Sequence, residues 1–165
     1  MPARRETLEL PRPASTLQVE ALTVTPPGQQ TIVVNNVSLK LEKGAGLGVI
    51  GPSASGKSSL ARTLIGAWAP VRGAVRLDGA SLDQWDPDAL GAHIGYLPQD
   101  IELFEGSVAE NIARFIPDAS PESVIEAARQ ACAHDMILRL PKGYDTQIRE
   151  AGMALSAGQR QRVGL

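Results

Sequence analysis

Eight residues, Gly51-Pro52-Ser53-Ala54-Ser55-Gly56-Lys57-Ser58, constrain this chain more than any other stretch. They fit the pattern G-x-x-x-x-G-K-[ST], in which a glycine-rich loop wraps a phosphate chain. Their surroundings suit it. Gly46-Leu47-Gly48-Val49-Ile50 is a short apolar run of the kind expected for a strand buried on both faces. Ser58 to Ile65 has helical spacing and is closed by Gly66 and Pro70. Glycines let such a loop turn back so that successive backbone amides face one set of phosphate oxygens. The helix that follows adds the positive end of its dipole. Lys57 is expected to reach the β- and γ-phosphates, and the Ser58 hydroxyl to hold Mg²⁺ beside them. The motif by itself specifies a nucleoside triphosphate and not the kind of NTPase.

Composition narrows the class. With 165 residues the chain has the size of one domain or part of one. Hydrophobic residues make up 43% and charged residues 21%, enough for a packed core and against wholesale disorder. The balance of 16 basic and 18 acidic residues gives no general electrostatic grip on nucleic acid, so none is expected as a partner. A single cysteine, Cys132, excludes an internal disulfide and a cysteine-rich metal site. His93 and His134 are far apart, which disfavours a histidine metal cluster. No apolar run approaches the roughly 20 residues of a membrane span. Met1 to Glu6 has no apolar centre, so a secretory signal is not expected there. The expectation is a soluble α/β protein of a reducing compartment.

Along the chain, Pro2, Pro11 and Pro13 among charged residues mark 1–16 as a linker or arm. Leu17 to Val24 alternates apolar and polar residues and predicts a half-buried strand. Pro26-Pro27-Gly28 is a turn, Thr31–Val34 leads into a second strand, and Val37–Leu41 alternates again. Ala74–Leu77 is a strand closed by an Asp78-Gly79 turn, and Pro87–Leu90 a short helix. Ile94–Leu97 reads as another buried strand, stopped by Pro98. Helices then dominate. Ser107-Val108-Ala109-Glu110 has the capping-box pattern. Ser120-Pro121 starts a helix to about Ala133, Asp135–Leu140 is a shorter one, and Ser156 caps a last one.

Two further segments bear on chemistry. The Gln99 amide, just after the Ile94–Leu97 run, can coordinate a metal and donate to water, although a plain surface glutamine is the simpler reading. Leu155-Ser156-Ala157-Gly158-Gln159 puts small residues and a serine before a helix, a second anion-receiving N-terminus. One reading is a site for a nucleotide bound to another copy; the other is a serine cap.

In this order, the phosphate loop, Gln99 and Leu155–Gln159 resemble the Walker A, Q-loop and signature motifs of an ABC-transporter nucleotide-binding domain. The resemblance runs from Leu17 onward. It implies an α/β fold: a P-loop NTPase core of the RecA-like kind, an N-terminal antiparallel β-subdomain, and a helical signature subdomain at about 104–165. The arm is then 1–16 and the ATP-binding domain 17–165, incomplete at its C-terminus. Glu110-Asn111-Ile112, Leu140–Thr146 and Thr146–Gly152 look like exporter sequences, the last like the exporter X-loop with Glu150 facing the membrane domain. Trp68–Gly73, Asp83–Asp86 and Gly95–Asp100 are similar to the ATPases of type I protein secretion, closest to the protease-exporting branch. The exporter-like Glu150 loop argues against a soluble ABC protein of repair or translation.

By resemblance, Gly51, Pro52, Ser53, Ala54, Ser55, Gly56, Lys57, Ser58, Ser59 and Gln99 bind ATP. Ser58 and Gln99 hold Mg²⁺, Lys57 and Gln99 serve catalysis, and Ser156, Ala157, Gly158 and Gln159 meet the ATP of a second copy packed head to tail. The implied partners are that copy, an exporter membrane domain, a periplasmic adaptor and an outer-membrane channel, at the cytoplasmic face of the bacterial inner membrane. Three departures stand out. No aromatic precedes Trp68 to stack on adenine. Ala157 stands where glycine is usual, tolerable if its φ is negative. The family's strand ending in aspartate and glutamate, and its histidine switch, would follow Leu165. The expectation is therefore an ABC-type ATPase by family whose turnover from these residues alone is slow. The alternative is a catalytically deficient module that pairs with a complete subunit.

Overall fold

Strand β1 (Thr16–Val24) shows how the apolar pattern becomes a core. Strict alternation would send Val19, Ala21 and Thr23 to one face. Instead Ala21 takes φ 45°, and the pairing with the neighbouring strand slips between Val19 and Leu22. This bulge moves Leu22 and Val24 to the same side as Val19, and all three are buried. Opposite the bulge, Gly73 has φ +82°, and a β-carbon there would lie 2.1 Å from the Glu20 carbonyl oxygen. Only a residue without a side chain lets the two strands meet.

In the computed structural model, residues 10–149 and 155–165 are described. The chain divides into two compact units, Met1–Tyr96 and Leu97–Leu165. In the first, β1 pairs antiparallel with β2 (Val34–Glu42) and with β3 (Arg72–Leu77), and β3 turns at Asp78-Gly79 into β4 (Ala80–Ser81). The sheet order is β2-β1-β3-β4. Helix α1 (Lys57–Leu64) lays Leu60 and Leu64 on the sheet face formed by Val19, Leu22, Val24, Val34 and Val75. Each fully buried aliphatic side chain of this kind contributes about 1.5–3 kcal/mol. Helix α2 (Pro87–Gly91) starts at Asp86, whose carboxylate accepts the amides of Asp88 and Ala89.

The second unit has its own core of Val108, Ala128, Ala133, Ile137, Ile148, Leu155 and Val163. A two-stranded ladder, β5 (Gly106–Ser107) with β6 (Gln147–Ile148), brackets α3 (Val108–Ile112). Helices α4 (Pro121–Gln130), α5 (His134–Leu138) and α6 (Ala157–Val163) complete it. Helix α4 stops three residues short of the predicted end. Cys132 takes φ 51°, and the Ala133 amide turns back to the Ala128 carbonyl at 2.8 Å. That left-handed close buries Ala133 completely.

Two predicted buried strands are corrected. Residues 46–50 and 94–97 belong to no ladder among the described residues. Leu47, Val49, Tyr96 and Leu97 are exposed, and Ile50 is 96% exposed. A strand exists by pairing its amides and carbonyls with neighbours, and an apolar run does not supply them. The short strands β4, β5 and β6 were not anticipated, because two residues carry no periodicity.

Candidate functional site

The phosphate-loop residues form an irregular turn leading into α1. The Ser55 amide donates to the Pro52 carbonyl at 3.3 Å, and Ala54 and Gly56 take φ 64° and 88°. Gly56 is the N-cap of α1 and offers no side-chain acceptor, and the first turn holds no carboxylate. The free amides and positive dipole end of α1 are thus open to an anion. Leu60 and Thr63 are buried beneath, and the Thr63 hydroxyl donates to the Ser59 carbonyl at 2.9 Å. The loop therefore stands on a packed helix.

Lys57 closes the loop on itself. Its ammonium donates to the carbonyls of Gly51 at 2.7 Å and Pro52 at 2.6 Å, and to the Ser55 hydroxyl at 3.3 Å. An ammonium has three donors and no acceptor, so these contacts use its full capacity. A phosphate oxygen binding Lys57 has to displace one of them, and Ser55 is the longest. Sequence reasoning singles out Lys57 but does not give this arrangement. Ser58 is exposed and Ser59 half-buried. No group of three or more His, Cys, Asp or Glu able to hold a metal occurs among the described residues. A lone hydroxyl donor suits a Mg²⁺ carried mainly by phosphate oxygens rather than a protein cage.

Gln99 and the 155–159 segment belong to the second unit. Gln99 is exposed in a bend after Pro98. Ser156 is the N-cap of α6, and its pairing with Gln159 is reciprocal. The Ser156 amide donates to Gln159 Oε1 at 2.7 Å, and the Gln159 amide donates to Ser156 Oγ at 3.3 Å. The serine cap was expected. The part of Gln159 was missed, although S-x-x-Q is a legible capping box. Ala157 and Gly158 are exposed in the first turn, and Ala157 is helical, so its methyl adds no backbone strain. Arg160 donates to the Leu155 carbonyl at 2.7 Å and braces the approach to the helix. Glu150 lies outside the described residues.

The Glu110-Asn111-Ile112 segment proves to be a local lock. The Ser107 amide and hydroxyl donate to Glu110 Oε2 at 2.6 and 2.8 Å. These bonds, the amide foremost, hold the Glu110 carboxyl below the usual range. Asn111 accepts from the Phe104 amide at 2.9 Å and donates to the Phe104 and Ser107 carbonyls, both at 3.0 Å. Residues 104–112 are thereby tied into one turn. Nearby, Tyr144 Oη lies 2.8 Å from His134 Nδ1, and burial pushes the phenol upward.

Comparison with known proteins follows the same lines. The family model described as "ABC transporter" matches residues 34–165. The chain is 58% identical to "Type I secretion system ATP-binding protein PrsD" of Rhizobium meliloti (strain 1021) over 165 residues, all of this chain and 28% of that protein. It is 41% identical to "Alpha-hemolysin translocation ATP-binding protein HlyB" of Escherichia coli O157:H7 over 134 residues, 81% of this chain and 19% of that protein. A solved structure described as a bacterial Atm1-family ABC exporter with ATP bound is similar at TM-score 0.87 and 31% identity, over 98% of this chain and 28% of that chain. The chain thus spans less than a third of the length of these relatives.

Proposed function

We propose that this chain, which belongs to the ABC transporter family, is the ATP-binding part of an exporter ATPase that couples ATP hydrolysis to transmembrane transport in type I protein secretion. The observation that carries the reading is the uncapped, acid-free N-terminus of α1 with Lys57 held at the loop. In this reading, residues 17–165 are the ATP-binding domain, with its helical subdomain at about 104–165, and 1–16 are the arm. The amides of Ser53, Ala54 and Gly56 and the start of α1 surround the phosphates, and Lys57 exchanges its Ser55 contact for a phosphate oxygen. Ser58 is the loop's own ligand for Mg²⁺, which when bound neutralises phosphate charge.

Ser156, Ala157, Gly158 and Gln159 of a second copy close over the same phosphates, head to tail. The capping box fixes that turn without using its solvent-facing side. Binding and closure depend on position and charge together. The wider partners are an exporter membrane domain, a periplasmic adaptor and an outer-membrane channel, at the cytoplasmic face of the bacterial inner membrane. The names of the secretion relatives support this assignment.

Equilibrium binding of ATP, with and without Mg²⁺, tests the reading. Lys57→Ala is expected to weaken ATP by about tenfold to a hundredfold, the scale of a lost charge-assisted bond. Equal affinity of the two forms refutes it.

A further inference from the structure

Asp78 takes part in two structures at once. It is the first residue of the two-residue turn between β3 and β4, where Leu77 pairs with Ala80. Its φ of 50° is one that aspartate tolerates better than most residues. The same left-handed turn points its carboxylate at the start of β1. There Oδ2 accepts the Ala14 amide at 2.6 Å, and the Ser15 amide reaches Oδ1 at 2.9 Å and Oδ2 at 3.2 Å. The Thr16 amide donates to Oδ1 at 2.6 Å. In return the Asp78 amide donates to the Thr16 carbonyl at 3.0 Å. Three consecutive amides, two of which precede the sheet, thus converge on one carboxylate some sixty residues away in sequence.

Such a fan of donors is an anion nest with a side chain in the anion's place. The bonds from Ala14 and Thr16 are the main cause of a carboxyl held below its usual range. The turn itself is steadied by Arg76, which reaches the Gly79 carbonyl at 3.3 Å and pairs with Glu20 at 3.1 Å on β1. The hairpin is therefore fixed to β1 by contacts that do not involve Asp78.

We propose that Asp78 is a clasp that fixes how the segment before β1 leaves the sheet, so that opening it frees Ala14 and Ser15 and releases the Thr16 amide while Leu17–Val24 of β1 stay paired. A clasp of this kind passes a pull on the arm to the β3–β4 turn instead of peeling β1 away from β2 and β3. It goes beyond the nucleotide reading and is independent of it.

Residue-resolved amide hydrogen exchange in the full chain tests it, comparing wild type, Asp78→Asn and Asp78→Ala. Asparagine keeps the left-handed turn and its backbone amide but removes the charge and one acceptor oxygen. The expected result for Asp78→Asn is faster exchange at Ala14 and Ser15, by about tenfold, with Val19, Leu22 and Val24 unchanged. Asp78→Ala gives the same pattern with a larger effect at Thr16. Unchanged exchange at 14–16 overturns the proposal. So does an equal rise along β1, which makes the carboxylate a support of the whole sheet and not a clasp.

Discussion

Gly56 sits against the carbonyl of Val33: a β-carbon on Gly56 would stand 2.3 Å from the Val33 oxygen and 3.1 Å from its carbon. The phosphate loop is thus seated against the residue just before β2, and backbone cannot move aside as a side chain does. Together with φ 88°, this makes Gly56→Ala costly on two counts. The expected loss is about 1–3 kcal/mol of stability, with ATP binding reduced further by displacement of the loop. Denaturant titration alongside nucleotide binding checks it; wild-type behaviour in both contradicts the seating.

Lys57 ties the loop through Gly51, Pro52 and Ser55. Lys57→Met keeps the stem and removes all three bonds. The Ser55 amide, bonded to Pro52 at 3.3 Å, is expected to exchange faster in that variant, while amides within α1 do not. An unaltered Ser55 rate means the lysine does not hold the loop.

The Ser107–Glu110 capping box predicts a pH dependence with a definite sign. The Glu110 carboxyl is lowered in the fold by the Ser107 amide and hydroxyl. A lowered carboxyl supports the fold above its unfolded value, and that support fades as pH falls through the folded value. Order in α3 should therefore be retained down to the ordinary glutamate range, about 4.3, and decline below it. Glu110→Gln preserves the box geometry and should flatten this decline. NMR shifts of the Ser107 amide against pH give the readout; an identical profile in Glu110→Gln removes Glu110 as the cause.

Ser156 and Gln159 cap each other, so their substitutions should not add. Ser156→Ala is expected to cost about 1 kcal/mol, the usual loss of a serine N-cap. Gln159→Ala should cost less, and the double variant less than the sum. Thermal unfolding of the four proteins in the cycle measures the coupling. Full additivity shows that the two side chains act apart.

Leu22 is fully buried because Ala21 bulges, and it anchors the face on which α1 rests. Leu22→Ala is expected to lose about 2–5 kcal/mol, the range for a core leucine. Denaturant unfolding that shows less than 1 kcal/mol, on the order of a surface change, contradicts that placement.

Much of this is legible in the order of residues, and the legible parts share a property. Ser107, Ser120 and Ser156 satisfy donors three residues away, so their caps are visible in a few letters. Asp78-Gly79 announces its turn in the same way, and the loop from Gly51 to Ser58 carries its chemistry in its own glycines, lysine and hydroxyls. The clasp of Asp78 on Ala14, Ser15 and Thr16 was invisible, as was the contact of Gly56 with Val33, because both join residues far apart in the chain. The bulge at Ala21 was hidden for a similar reason: it is defined by the register of a partner strand.

By itself, then, the order of residues determined the phosphate loop, the helix after it, the capped turns and the family resemblance. The loop, the helix and the caps rest on interactions within a few residues, and the resemblance on the order of such short motifs along the chain. Tertiary structure decided which apolar runs became strands. Val19, Leu22 and Val24 are buried in one because β2 and β3 pair with β1. Residues 46–50, equally apolar, stand exposed and outside any described ladder. Hydrophobicity says that a segment gains from being covered, whereas a strand forms only where other backbone completes its hydrogen bonds.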